Sequence, residues 1–183
     1  MREPSDESLM QRVACGDQQA FRTLAQRHSS RAAGLARRMM GSEADAEEIV
    51  QEALLRVWIN APRWRPLATF RTWFYRIVFN LCLSRRRRPV ALALEAAGEV
   101  VDPALGPADI LERDETERRV AAAIDALPER QRAAILLTYR EELSNAEVAA
   151  VIDTSISGVE TLLVRARRSL RAKLGADLKK GEG

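Results

Sequence analysis

Cysteine, histidine and aromatic side chains are scarce in this chain of 183 residues: two cysteines, one histidine and 5% Phe, Trp and Tyr. Cys15 and Cys82 stand far apart without a CxxC pair. That excludes a disulfide framework, and with His28 as the lone imidazole no metal-ligand spacing can be assembled. The cysteines are expected as reduced thiols filling small packing sites. His28 is expected as an ordinary surface or interhelix residue, since no serine or cysteine motif accompanies it. Nine glycines, seven prolines and few aromatics speak against an all-β sandwich. No apolar run approaches the ~18 residues of a membrane span, and the opening residues lack the apolar core of a signal peptide. What is abundant is charge (30%) beside a hydrophobic fraction of 46%, enough to bury a core. The expectation is a cytoplasmic, mostly helical protein without cofactor or metal.

The net charge of +3 conceals a division. Residues 1–88 carry 16 Lys/Arg and 9 Asp/Glu, residues 89–112 five acids and no base, and residues 113–183 13 bases and 12 acids. The middle segment also holds Pro89, Pro103 and Pro107 and lacks a sustained helical pattern. It reads as a flexible acidic linker between two small helical domains, either a solvated spacer or a strand that mimics nucleic acid in a basic channel. Within the first block, 42–55 contains five acids and no base, whereas 63–88 contains eight arginines and no acid. An acidic helix beside a basic one suggests two partners, a protein surface and a polyanion.

Capping signals place the helices. Segments 8–14 and 17–27 break at Gly16, with Asp17 as N-cap; 31–40 follows and stops at Gly41. Ser42 caps a helix to Asn60, ended by Pro62, and Thr69 opens another that runs to about Arg87. On that last helix Phe70, Phe74, Ile77 and Leu81 fall within about 60° and face the core. Thr69, Thr72, Arg76 and Asn80 form a polar face that can offer donors to phosphates and base edges. Trp73 lies at the border. The loop before it carries Trp64 and Arg65, suited either to stacking on unpaired bases or to hydrophobic capping.

The C-terminal block has the clearest motif. A helix over 116–126 is broken at Leu127-Pro128, and a second runs from Pro128 to about Glu141. Ser144-Asn145-Ala146-Glu147 fits a capping box, opening a short helix to Ile152. After Asp153-Thr154-Ser155 a long helix extends over 156–174. Helix, short turn and helix make helix-turn-helix geometry, in which the second helix enters the major groove. Val159, Leu162, Leu163, Ala166 and Leu170 form its buried stripe. Ser157, Thr161, Val164, Arg165 and Arg168 lie opposite, a mixture of short polar, apolar and arginine side chains suited to reading base edges. Arg165, Arg167, Arg168, Arg171 and Lys173 attract phosphate. Glu141 and Glu142 are expected on the surface.

Several of these segments together resemble the bacterial sigma-70 family of RNA polymerase sigma factors. The run from Asp45 to Trp58 resembles its signature helix, and Phe70 to Asn80 its promoter-melting helix. Leu127–Arg132, Leu143–Ala149 and Val164–Arg167 resemble its terminal domain. Two domains and a short linker are similar to the extracytoplasmic-function (ECF) subgroup. The resemblance implies that Asp45, Glu48, Gln51, Glu52 and Arg56 dock on the clamp helices of the polymerase largest subunit, with the beta flap a further contact. It implies that Trp64, Arg65, Thr69, Arg71, Thr72, Trp73, Arg76 and Asn80 hold the melted minus-ten strand. Ser157, Thr161, Val164, Arg165 and Arg168 would read the minus-thirty-five duplex. The linker would run toward the RNA exit path, an anti-sigma protein would hold the factor inactive, and the polymerase would do all the chemistry.

Two positions depart from the family pattern. Asp153 stands where glycine is frequent, and aspartate tolerates the left-handed geometry. Glu160 stands where a base is frequent; it can accept from cytosine N4 or face solvent. The competing readings are a helix-turn-helix regulator that never binds polymerase, which leaves the acidic helix without a task, and a helical adaptor for acidic proteins.

Overall fold

The computed structural model describes residues 3–87 and 111–180, and every regular element among them is helical. α1 (Asp6–Ala14), α2 (Gln18–Met40), α3 (Glu43–Asn60) and α4 (Phe70–Arg87) make the N-terminal half. α5 (Leu111–Asp125), α6 (Glu129–Ile135, prolonged by a π-helical turn to Arg140), α7 (Asn145–Ile152) and α8 (Ile156–Lys180) make the C-terminal half. Most of the expected linker, 89–112, lies outside the described residues, although α5 already begins at Leu111, earlier than the sequence pattern suggests.

The starts of α1 to α4 are each met by a side chain that satisfies an orphan amide. Ser5 accepts from Ser8 N at 3.2 Å, Asp17 from Gln19 N and Ala20 N at 2.9 and 3.0 Å, and Ser42 from Asp45 N at 3.2 Å. Glu7 of α1 accepts from Phe70 N at 3.2 Å, so one helix supplies the N-terminal anion of another. Gly41 ends α2 in the left-handed region at φ 76°, its amide returning to Arg37 O at 2.7 Å.

α2 corrects the expected break between residues 27 and 31: it is one continuous helix through His28-Ser29-Ser30. The Ser29 hydroxyl donates to Ala25 O within the helix instead of leaving it. His28 sits between helices, its Nε2 2.7 Å from Asp6 Oδ2 and its ring 5.1 Å from that of Phe70. Cys82 is buried, but Cys15, expected as a packing residue, is exposed at the end of α1.

Leu24, Leu35, Met39, Val57, Phe70, Phe74 and Phe79 fill the N-terminal core. Leu137, Val148, Ile152, Val159 and Leu163 fill the C-terminal one. The halves meet where α7 packs on α4 and α6 approaches α2. At the second meeting Arg132 donates to Met39 O at 3.2 Å and, on its own side, to Asp125 O and Leu127 O; Arg86 of α4 also donates to Met39 O, at 3.1 Å. Guanidinium groups at helix C-termini satisfy orphan carbonyls and complement the helix dipole.

Candidate nucleic-acid interface

Three surfaces follow from this arrangement. The first is built by the turn after α3. Pro62 lies in a 3-10 turn, Ala61–Arg63, after which the chain runs extended through Trp64 and swings back to Thr69. Thr69 Oγ1 accepts from Thr72 N at 3.2 Å and so caps α4. Between loop and helix lies a cleft of about 600 Å³ lined by Trp64, Arg65, Thr72, Trp73 and Arg76, joined by Arg56, Arg63 and Leu67. Trp64 is half-buried with its ring 6.2 Å from that of Trp73, so both capping and an aromatic cleft wall are present. Aromatic rings interleaved with arginines can stack an unpaired base and hold its backbone.

Of the eight residues expected to face a melted strand, five line this cleft. Thr69 is exposed at its edge, Asn80 is exposed further along α4, and Arg71 points elsewhere, its guanidinium 5.9 Å from the Tyr75 ring centroid. Thr72 is not on an open face: it is 3% exposed, with α7 behind it. Periodicity assigned α4 one buried side; it has two, the second covered by the other half of the chain.

That covering surface is polar. The Tyr75 hydroxyl donates to Glu141 Oε2, and both residues are buried, at 1% and 2% exposure. Glu141 thus corrects the expectation of a surface acid. Burial, and then the hydrogen bond to Glu141, push the Tyr75 phenol far above its ordinary range. Thr72 Oγ1 donates to Glu147 Oε1 at 3.4 Å, and Arg76 stands 3.7 Å from Asp153 Oδ1. Glu147 also completes the capping box, accepting from Ser144 N at 2.9 Å; that bond, with the Ser144 hydroxyl, holds its carboxyl below the usual range. The sequence pattern assigns Tyr75 no role and Glu141 only a place on the surface; the one available signal is an aromatic between two arginine-bearing turns.

The second surface is α8. Asp153 turns the chain at φ 54°, Ser155 Oγ accepts from Gly158 N at 3.0 Å, and Arg130 caps the end of α7 through Ile152 O at 2.6 Å. Val159, Leu163 and Ala166 are buried. Ser157, Thr161, Val164, Arg165 and Arg168 are all exposed together. Glu160 is exposed on the same helix, and Arg167 lies 5.7 Å from the Tyr139 ring.

The third surface is the outer edge of α3. Glu48, Gln51, Glu52 and Arg56 line a cleft of about 530 Å³ with Leu55, Leu81 and Arg85. Leu55 and Ile59 are 52% and 62% exposed beside it. Arg56 pairs with Glu52 at 2.9 Å, while Arg85 reaches Asp45 at 2.8 Å and Glu48 at 2.5 Å. Part of the arginine run expected to meet a polyanion is therefore spent on the acidic helix. Among the described residues no cluster of His, Cys, Asp and Glu could hold a metal ion, and no helix is long and apolar enough to cross a membrane.

An all-helical pair of domains, one with an aromatic-arginine cleft and the other with an exposed helix-turn-helix, defines a DNA-binding transcription protein. The family description for sigma-70 region 2 matches residues 24–89, and that for sigma-70 region 4 matches residues 117–170. The chain is 35% identical over 178 residues to the ECF RNA polymerase sigma factor SigE of Mycolicibacterium smegmatis, covering 92% of this chain and 69% of that protein. It is 31% identical over 176 residues to SigW of Bacillus subtilis, covering 90% and 94%. The solved structure of CnrH in complex with the cytosolic domain of CnrY superposes with a TM-score of 0.73 at 30% identity, covering 95% of this chain and 99% of that one. The chain belongs to the ECF subgroup of the sigma-70 family of RNA polymerase sigma factors.

Proposed function

We propose that this chain docks on core RNA polymerase through the α3 edge and directs promoter-specific initiation with its two DNA surfaces. The carrying observation is that the acidic and apolar edge (Glu48, Gln51 and Glu52 with exposed Leu55 and Ile59) lies outside the aromatic cleft and the α8 row, with Arg56 at the border lining both clefts. A regulator that bound only duplex would leave that edge unused. Asp45, tied to Arg85, steers the clamp contact from its rim. The C-terminal domain meets the beta flap.

Trp64, Arg65, Trp73 and Arg76 receive an extruded base of the minus-ten strand, Thr69, Thr72 and Asn80 flank it, Arg71 reaches the strand only by leaving the Tyr75 ring, and α8 reads the minus-thirty-five duplex. Unstacking a base costs a few kcal/mol, offset by stacking on the indoles. The factor performs no bond change itself and acts in the cytoplasm beside the polymerase. An anti-sigma protein holds the factor inactive; that CnrH was solved in complex with the cytosolic domain of CnrY supports a protein partner for this chain.

The test is size-exclusion chromatography with core polymerase lacking any sigma subunit. Co-elution at equal stoichiometry, lost on Gln51→Ala/Glu52→Ala, is expected. No co-elution with duplex binding intact would leave a plain helix-turn-helix regulator.

A further inference from the structure

We propose that Glu7 of α1 is a positioning residue for the aromatic cleft: with its neighbour Asp6 it fixes Phe70, the residue from which the Trp73–Trp64 wall is built outward. The inference rests on the reading of that cleft as the seat of an extruded base.

Residues 65–69 of the cleft loop are all exposed, so the loop is set by its two ends. Both ends pack on α1: the turn Ala61–Arg63 where the loop begins, and α4, starting at Phe70, where it closes. Consecutive carboxylates of α1 then reach Phe70 by two routes. Glu7 Oε1 accepts from the Phe70 amide at 3.2 Å and places an anion at the N-terminus of α4. Asp6 Oδ2 stands 2.7 Å from His28 Nε2 and so holds the imidazole against the Phe70 ring, 5.1 Å between centroids.

From Phe70, which is 1% exposed, ring contacts continue to the surface: Trp73 at 6.1 Å, and from Trp73 to Trp64 at 6.2 Å. In a close-packed interior a shift of the innermost ring is passed to its neighbours. Neither acid lines the cleft. Nor is Glu7 needed to start the helix, because Thr69 Oγ1 already caps α4 by accepting from Thr72 N at 3.2 Å. The bond from Glu7, 63 positions away, therefore sets where α4 begins in space and, with it, where the indoles stand.

The experiment compares the full chain, Glu7→Ala and Glu7→Gln, each assembled with core polymerase on one promoter. Glutamine keeps an oxygen that can accept from the Phe70 amide; alanine does not. Glu7→Ala should slow isomerisation to the open complex by about tenfold, the effect of losing one charge-assisted hydrogen bond, with co-elution on core and closed-complex affinity unchanged. Glu7→Gln should restore the rate to within about twofold. In free protein carrying Trp58→Phe, the remaining indoles are Trp64 and Trp73. There Glu7→Ala should shift tryptophan emission to the red at unchanged helicity.

An unchanged rate overturns the proposal. So does an equal loss in core binding, closed-complex affinity and isomerisation, which marks a general loss of stability, and so does a glutamine variant as slow as the alanine one. Trp64→Ala separates the two ideas. If it slows isomerisation while Glu7→Ala does not, only the role of Glu7 fails; if it has no effect, the reading of the cleft fails and the role of Glu7 with it.

Discussion

A β-carbon on Gly158 would stand 2.5 Å from Thr154 Oγ1 and 3.2 Å from Ser155 Oγ. The first turn of α8 therefore lies close against the hydroxyls that precede it, and only glycine fits without displacement. Gly158→Ala should destabilise the C-terminal half by about 1–3 kcal/mol, the usual cost of forced overpacking. In a Thr154→Ala background the oxygen is gone and most of that cost should vanish. A double-mutant cycle by urea denaturation reads the coupling, and additive effects would refute the steric account.

Arg165 and Asn80 should separate the two proposed DNA tasks. Arg165→Ala should weaken minus-thirty-five duplex binding by about 1–3 kcal/mol and alter base preference, as expected for a base-reading arginine. Asn80→Ala should spare duplex binding and slow open-complex formation. Duplexes selected from a random pool, together with permanganate footprinting of the holoenzyme, would show whether the effects divide in this way; equal effects in both assays would not fit.

Asp6 ties α1 to α2 through His28 at 2.7 Å and Arg27 at 2.9 Å. The His28 hydrogen bond, opposed by desolvation and aided by Arg27, holds its carboxyl below the ordinary 3.8. Its contribution is thus present above the unfolded-state value and lost as pH falls through the lower folded-state value. Asp6→Asn should be less stable than the parent at pH 7 and at pH 5, the gap closing only in stronger acid. Denaturant midpoints across that range test it; a gap that closed already at pH 5 would contradict the assignment.

Burial pushes the Cys82 thiol up to about 12, whereas Cys15 is exposed. The thiolate is the reactive form. Iodoacetamide at pH 8 should modify Cys15 alone in the folded protein and both cysteines after denaturation, as counted by intact mass. Rapid double modification of the native chain would show that the α4 core opens readily.

Local chemistry made much of this fold readable in advance. The caps at Asp17, Gly41, Ser42 and Ser144 are short-range devices, visible in a few consecutive residues. Ser29 misled because serine both ends helices and bonds back within them, and only tertiary packing decides between these outcomes. The exposed row on α8 was legible because one side of that helix meets the core and the other meets solvent. α4 was half legible. Its second buried side is made with residues some 66 and 75 positions away, a distance no periodicity can register. Glu141 looked like a surface acid for the same reason.

The carbonyl of Met39 accepts from one arginine of each half, and Arg132 donates to carbonyls of both. Were the halves to part, Met39 O would keep Arg86 and Arg132 Nη2 would keep Asp125 O and Leu127 O, whereas Arg132 Nη1 would lose both its acceptors, Arg38 O and Met39 O. Such a junction resembles a press-stud: most of its bonds belong to one side or the other, and a single guanidinium nitrogen is the catch between them.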